Sequence, residues 1–504
     1  MEETHKKRNI PAWVWVMGCL GLVVACAVVF ALGAAALGIF VVSQSQSDVV
    51  PVVAAVETAS SATDEPAELT PNVPPTLEEQ PATGAPVPSA TPVEESSTLP
   101  ASPTEPNQDA QGQIDDPYAA ERAAIEANVA AIRQLEPKEE VSPLFLTPEE
   151  LRQRLEEDLL QDYDVEQGRQ DAITMSAFDF MPADLDLYGL VLDLLTEQIA
   201  GYYDPEIDEF VVISNDPEFD ILEQVTHAHE YVHALQDQYY NLELLDDDNL
   251  NSEAAFAVQA LAEGEATFVQ TQFMLSGYFE APELLELLEK SLEVDTTVLD
   301  SVPPVIAREL EFPYLTGLEF IQAVYARGGY DAINAAWKNL PQSTEQILHP
   351  QRYLDGDQPQ LVNTAPLTDT LGAGWKLVDE DTLGEFYLRE YLAQQLDGDA
   401  VDQAATGWGG DQYAVYWNEG NQTPVMVLKL RWDTPDDAAE FNAVYPQYPE
   451  GLFSDLNPVS ADGGRCWSGP DVICLFSSGE ESLVVRAPDL ETATRVAAIQ
   501  LANE

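Results

Sequence analysis

The chain has 504 residues, 89 of them acidic and 21 basic, for a formal charge of −68. Charge of that sign argues against nucleic acid or anionic lipid as a partner and favours solubility. Length alone allows about three domains, but composition shows that not all of the chain can bury a core.

Residues 1–9 form a short tail containing Lys6, Lys7 and Arg8. Residues 10–42 include the uncharged run "PAWVWVMGCLGLVVACAVVFALGAAALGIFVV", longer than the ~20 apolar residues that cross a bilayer as a helix. The run also exceeds the apolar core of a cleaved signal peptide, about 7–15 residues, so an uncleaved signal-anchor is expected. The next basic residue is Arg122. The positive-inside rule then keeps the tail cytoplasmic and places everything beyond Val42 outside the cell membrane. Residues 43–115, rich in Pro, Ser, Thr, Ala and Glu and nearly free of aromatics, read as a disordered linker.

The expected fold class beyond this point is α+β, with a mainly helical domain at 116–360 that carries a small sheet and a C-terminal α+β domain at 361–504. "AAERAAIEANVAAIRQLEP" reads as a helix ending before Pro137. In "TPEELRQRLEEDLLQDY", Thr147 supplies an N-cap, Pro148 the first helical position and Glu150 the capping box. "ADLDLYGLVLDLLTEQIAG" reads as a helix closed by Gly201, and "EFVVISN" at 209–215 as a strand. Helices follow as far as Asp355. From about Leu361 strands dominate ("QYAVYW", "PVMVLKLRW", "VICLF", "SLVVRAP"), with two amphipathic helices between and after them. Cys466 and Cys474 flank a Ser-Gly-Pro-Asp turn, so a hairpin brings them face to face and a disulfide is expected.

The chemistry concentrates in "THAHEYVHALQDQYY", which starts at Thr226 and holds three of the five histidines. His229-Glu230-Tyr231-Val232-His233 is H-E-x-x-H on an expected helix. Residues four apart leave one face, so His229 and His233 can bind one zinc ion, with Glu230 rotated toward where a water on that ion sits. His227 lies 200° from His229 around the helix and cannot join the same site. A catalytic zinc keeps three protein ligands, and no third histidine follows at metzincin spacing. The third ligand is therefore expected to be a carboxylate. The best source is "SEAAFAVQALAEGEATFVQTQFM", a helix with Ser252 as N-cap, in which Glu263 and Glu265 face opposite sides and one should meet the metal. Gly264 between them costs ~1 kcal/mol in a helix interior, understandable where another helix approaches closely.

"THAHEYVHALQDQ" followed by "LAEGEATF" resembles the gluzincin zinc metallopeptidases, in particular the peptidase MA-like group. The resemblance implies His229, His233 and Glu263 as zinc ligands and Glu230 as general base. Peptide or protein bonds would be hydrolysed outside the membrane through a zinc-bound water. "IRQLEP", "IAGYYDPEIDEFVVIS", "PQSTEQILHPQRY" and "GWGGDQYAVY" are similar to uncharacterised bacterial members of the group, without assigned roles. Tyr203, Tyr314, His349 and Tyr353 are candidate oxyanion donors. Asp237, on the face of His233, is a candidate acceptor for that imidazole's other N–H. The strand "FVVIS" offers a possible edge for an extended peptide. A surface binding protein that keeps a zinc site, and a zinc hydrolase of non-peptide substrates, are the alternatives. Trp408, Asp411, Trp417 and Trp432 could line a binding face, although aromatics in a small domain more often form core.

Overall fold

The computed structural model describes residues 118–502, apart from 161–162, 200, 206–208, 214–218, 243–249, 293–296, 454–456 and 462. The expected tail, transmembrane helix and linker lie outside the described residues. Among those described, no helix is long and apolar enough to cross a membrane.

The chain is a mixed α+β structure. It opens with α1 (Ala119–Arg133), whose inward face repeats every four residues through Ile125, Val129 and Arg133. Strand β1 (Ser142–Leu146) leads to α2 (Pro148–Arg154), where Thr147 and Glu150 close a reciprocal capping box. Helices α3 (Val165–Ala177) and α4 (Leu187–Gln198) follow. Gly201 does not close α4. It begins β2 (Gly201–Asp204), because a Cβ there would meet the Val211 carbonyl of the neighbouring strand at 2.9 Å.

Strand β3 (Glu209–Ile213) is the middle of a three-stranded sheet, parallel to β1 and antiparallel to β2. Both its edges are occupied, so it cannot receive a peptide strand as the sequence suggested; β2 is the edge strand beside the histidine helix. That helix is α5 (Ile221–Tyr240). Asp220 caps it, accepting from Leu222 and Glu223 while the Glu223 side chain accepts from the Asp220 N–H. Helix α6 (Ser252–Leu275) is capped by Asn251 rather than Ser252, whose hydroxyl instead donates to Asp381. Helices α7 (Ala281–Ser291), α8 (Pro304–Gly328) and α9 (Tyr330–Ala336) complete the helical layer, with short helices α10 (Thr344–Leu348) and α11 (Pro350–Asp355) after them.

A single turn at Thr368–Leu371 (α12) precedes a seven-stranded antiparallel sheet. Its strands are β4 (Trp375–Asp381), β5 (Trp408–Asn418), β6 (Thr423–Trp432), β7 (Asn457–Ala461), β8 (Gly464–Ser468), β9 (Val472–Ser478) and β10 (Glu481–Ala487), in the order β4-β5-β6-β10-β9-β8-β7. Helices α13 (Gly384–Ala393), α14 (Gly398–Ala405), α15 (Pro435–Val444), α16 (Gln447–Leu452) and α17 (Leu490–Leu501) surround it. Side chains alternate with the strand period of two. Tyr413, Val415 and Trp417 join a core shared with α3 and α4, whereas Ala414 and Tyr416 pack on the α17 side. The shared core crosses the boundary drawn at 360/361, since Leu194, Leu195 and Phe178 belong to it together with Trp408, Trp432 and Tyr445. Trp408, Trp417 and Trp432 are all buried in it.

The seam between helical layer and sheet is polar, and two of the unassigned sequence stretches contribute Thr344, Trp408 and Asp411 to it. Glu253 accepts from the Thr344 N–H and hydroxyl, and Thr344 Oγ1 accepts from the Phe386 N–H. Asp411 accepts from the backbone of Leu383 and Gly384 and from the Trp408 indole. Gly384 has φ +77°, and a Cβ there would fall 2.0 Å from the Glu253 carboxylate. Glycine is what lets these two segments touch.

Cys466 and Cys474 oppose each other on β8 and β9 and are joined by a disulfide with a sequence separation of 8. Closing so short a loop stabilises by about 2.5 kcal/mol on chain entropy. Denaturant unfolding of Cys466→Ala/Cys474→Ala should lose roughly that amount, and an unchanged midpoint would count against it.

Candidate metal centre

Residues Val225 to Gln236 of α5 are buried, so the polar H-E-x-x-H set lies inside a core where each polar atom needs a partner. His229 Nε2 is 3.1 Å from Glu263 Oε2, His233 Nε2 is 3.4 Å from the same oxygen, and the two Nε2 atoms are 3.2 Å apart. Tetrahedral ligands at zinc distances of ~2.0–2.1 Å stand about 3.3 Å from one another. The three atoms converge as that donor set requires, and the chemistry of two imidazoles and one carboxylate suits zinc.

Helix α6 supplies Glu263 because Gly264 lets α8 cross it closely. A Cβ on Gly264 would fall 2.3 Å from the Gly317 carbonyl carbon and oxygen. One turn before Gly317, the Tyr314 ring lies 5.9 Å from the His229 ring. Of the four candidate donors, Tyr314 is the one whose ring packs on a histidine of the set. Tyr203 approaches differently: its backbone N–H donates to Glu230 Oε2 at 3.0 Å and its hydroxyl to Asp237 at 3.0 Å. His349 pairs with Glu385, and the Tyr353 hydroxyl donates to the Asn339 carbonyl, so both serve elsewhere.

Asp237 does not hold His233. It accepts from Tyr203 and from the Leu242 N–H, while His233 Nδ1 meets Gln236 Oε1 at 2.8 Å. Gln236 is three residues beyond His233, close enough on the helix for the shorter reach. The other glutamate, Glu265, faces away from the histidines and takes hydrogen bonds from Arg133, Trp337 and Gln236. Sequence reasoning missed this set. The available signal was a basic residue, Arg133, falling on the apolar stripe of α1. His227 is buried and paired with Glu126 at 3.1 Å, ringed by Phe210, Phe219 and Tyr231. A cavity of about 10 Å3, room for one water, lies between His227 and Glu230.

Electrostatics follow burial. Desolvation raises the Glu230 carboxyl to about 8 and lowers the His229 imidazole, with neighbouring His233 adding to the latter. For Glu263 burial pulls upward, but His233 and His229 outweigh it and hold the carboxyl low; burial opposes charge on His233 too, and Glu263 overcomes it. A second acidic group, Glu345, Asp357 and Asp433, already holds a cation, since Arg352 pairs with all three.

The profile of a family described as a domain of unknown function (DUF8575) matches residues 373–497, the region of the seven-stranded sheet and not the histidine helix. No curated protein and no solved structure matches the chain.

Proposed function

We propose that the chain is a zinc-dependent metallopeptidase of gluzincin type, anchored by residues 10–42 and working outside the membrane. The observation that carries the reading is the convergence of His229 Nε2, His233 Nε2 and Glu263 Oε2 within 3.4 Å of one another beside Glu230. These three residues hold the metal. Bound there, zinc supplies Lewis acidity to water and to a peptide carbonyl.

The remaining steps belong to the chain's own residues. Glu230 Oε2 is held by the Tyr203 N–H, whereas Oε1 has no hydrogen-bond partner among the described residues. Oε1 is the atom that takes a proton from water and returns it to the leaving amine. Tyr203, at the sheet edge, thus fixes the base, and the Asp237 link fixes Tyr203. Tyr314, whose ring packs on that of His229, is the candidate donor to the carbonyl oxygen as it gains charge.

One observation favours a second reading, a binding protein with a structural metal. His229 and Glu230 are 0% exposed and Glu263 4%, so substrate enters only after neighbouring elements move. A structural zinc normally takes four protein ligands, however, and three cluster here among the described residues. The test compares the purified chain with Glu230→Gln for zinc content and cleavage of casein. One zinc in both, with cleavage by the parent alone, is expected. Zinc in both without cleavage of casein or peptide libraries supports the binding protein or a non-peptide hydrolase, and absence of zinc from the parent removes the site.

A further inference from the structure

We infer that Gln236 is a positioning residue for the metal ligand His233, and that Glu265 and Arg133 act through it. The inference rests on the proposed metal site and adds residues that neither the H-E-x-x-H spacing nor the gluzincin resemblance assigns.

The orientation of the Gln236 amide is fixed by its own partners. Its Nε2 donates to the Ala262 carbonyl and to Glu265 Oε2, both at 3.0 Å. Both partners are acceptors, so the other end must be the carbonyl oxygen, and Oε1 faces His233 Nδ1 at 2.8 Å. When Nε2 binds a metal, the proton left on the imidazole is the one on Nδ1, donated in a hydrogen bond to Gln236 Oε1, while Nε2 faces His229 and Glu263. That tautomer is the one a metal ligand needs.

Glu265 is in turn held by three donors. Trp337 Nε1 donates to Oε2 at 2.6 Å, Gln236 shares the same oxygen, and the Arg133 guanidinium pairs with Oε1. Arg133 is itself pinned by Asn334 at 2.7 Å and by the Tyr240 hydroxyl at 3.2 Å. Glu265, Arg133 and Gln236 are each 0% exposed.

The order of these groups has a chemical consequence. Many ligating histidines pass their outer N–H directly to a carboxylate, which makes the imidazole more basic. Here a neutral amide stands between histidine and carboxylate, and the carboxylate's charge is already balanced by Arg133. His233 is oriented without receiving negative charge, so the metal keeps more of its own.

Zinc affinity of the whole chain, measured by competition with a chromophoric chelator, tests this without any substrate. Gln236→Met fills a similar volume without an acceptor and should weaken binding about tenfold to a hundredfold, with metal-free thermal unfolding at a lower temperature than the parent's because buried partners are left unpaired. Gln236→Glu keeps an acceptor oxygen and can share a proton with Glu265, so it should hold zinc within about threefold of the parent. It also carries the test if Gln236→Met does not fold. Parent-like affinity in Gln236→Met, or a loss in Gln236→Glu as large as in Gln236→Met, makes Gln236 a packing residue and overturns the inference. A parent that binds no zinc overturns the metal site first.

Discussion

Replacing Gly264 with alanine is expected to destabilise the protein by about 3 kcal/mol, whereas the same change at Gly398 should leave stability within about 0.5 kcal/mol. Both glycines lie in helices; in the interior, as at Gly264, alanine by itself gains up to ~1 kcal/mol, and at Gly398, the first residue of α14, it gains less. At Gly398 a Cβ meets nothing within 4 Å. At Gly264 it would fall 2.3 Å from the Gly317 carbonyl, which is backbone and has no rotamer to give. Helices α6 and α8 must separate, and interiors packed at crystal-like density do not absorb that cheaply. The separation carries Tyr314 away from His229 and shifts Glu263. Denaturant unfolding of the two variants checks the prediction; a Gly264→Ala curve that overlays the parent's would mean that the close crossing of α6 and α8 is not as described.

The same contact shows what the sequence could reveal. A glycine between two glutamates in an apolar helix announces a close neighbour, but nothing in the sequence says that the neighbour is Gly317, 53 residues further along. Local features were legible wherever they depend on a few adjacent residues. The capping box at Thr147 and the pairing of Cys466 with Cys474 across a three-residue turn are of that kind. The N-cap of α6 was misplaced by one residue because Asn251 and Ser252 are both good caps. Only the partner on β4, Asp381, decides that Ser252 points elsewhere.

The site divides along the same line. The imidazole spacing and the rotation between Glu263 and Glu265 are helix geometry, readable from numbering alone. Which residue satisfies His233 is not, since Gln236 and Asp237 are both on its side of α5. The choice is made by Glu265 and Tyr203, brought from α6 and β2. Likewise Thr344 and Asp411, in two of the unassigned stretches, lie far apart in the chain and acquire meaning only with Gly384 and Glu253 as one seam. Strand β4 and helices α13 and α14 were missed there: β4 is split between two cores, with Val378 against the shared one and Trp375 and Leu377 on the α17 side, and α13 and α14 are short.

That seam sets the second large effect, a loss of stability as pH rises. Glu253 is 3% exposed, and burial raises its carboxyl from 4.5 to about 8, with nearby Asp411 and Glu385 adding and the Thr344 hydrogen bonds opposing. Burial likewise raises Asp411 from 3.8 to about 6. In each case the folded chain keeps a proton that the unfolded chain gives up. Stability from Glu253 is therefore fully present below about pH 4.5, declines as pH climbs, and levels off once pH passes about 8. The shift corresponds to at most about 5 kcal/mol. Repulsion among the −68 formal charges works in the same direction, so the parent's profile alone cannot assign the effect. Glu253→Gln separates the two. Its amide oxygen keeps the Thr344 bonds and never ionises, so it should match the parent within about 1 kcal/mol at pH 5 and exceed it by several kcal/mol at pH 9. Chemical denaturation across that range reads both curves. If they run parallel, the carboxyl of Glu253 is ionised in the folded protein, and the seam must draw on a counter-charge other than those that surround it here.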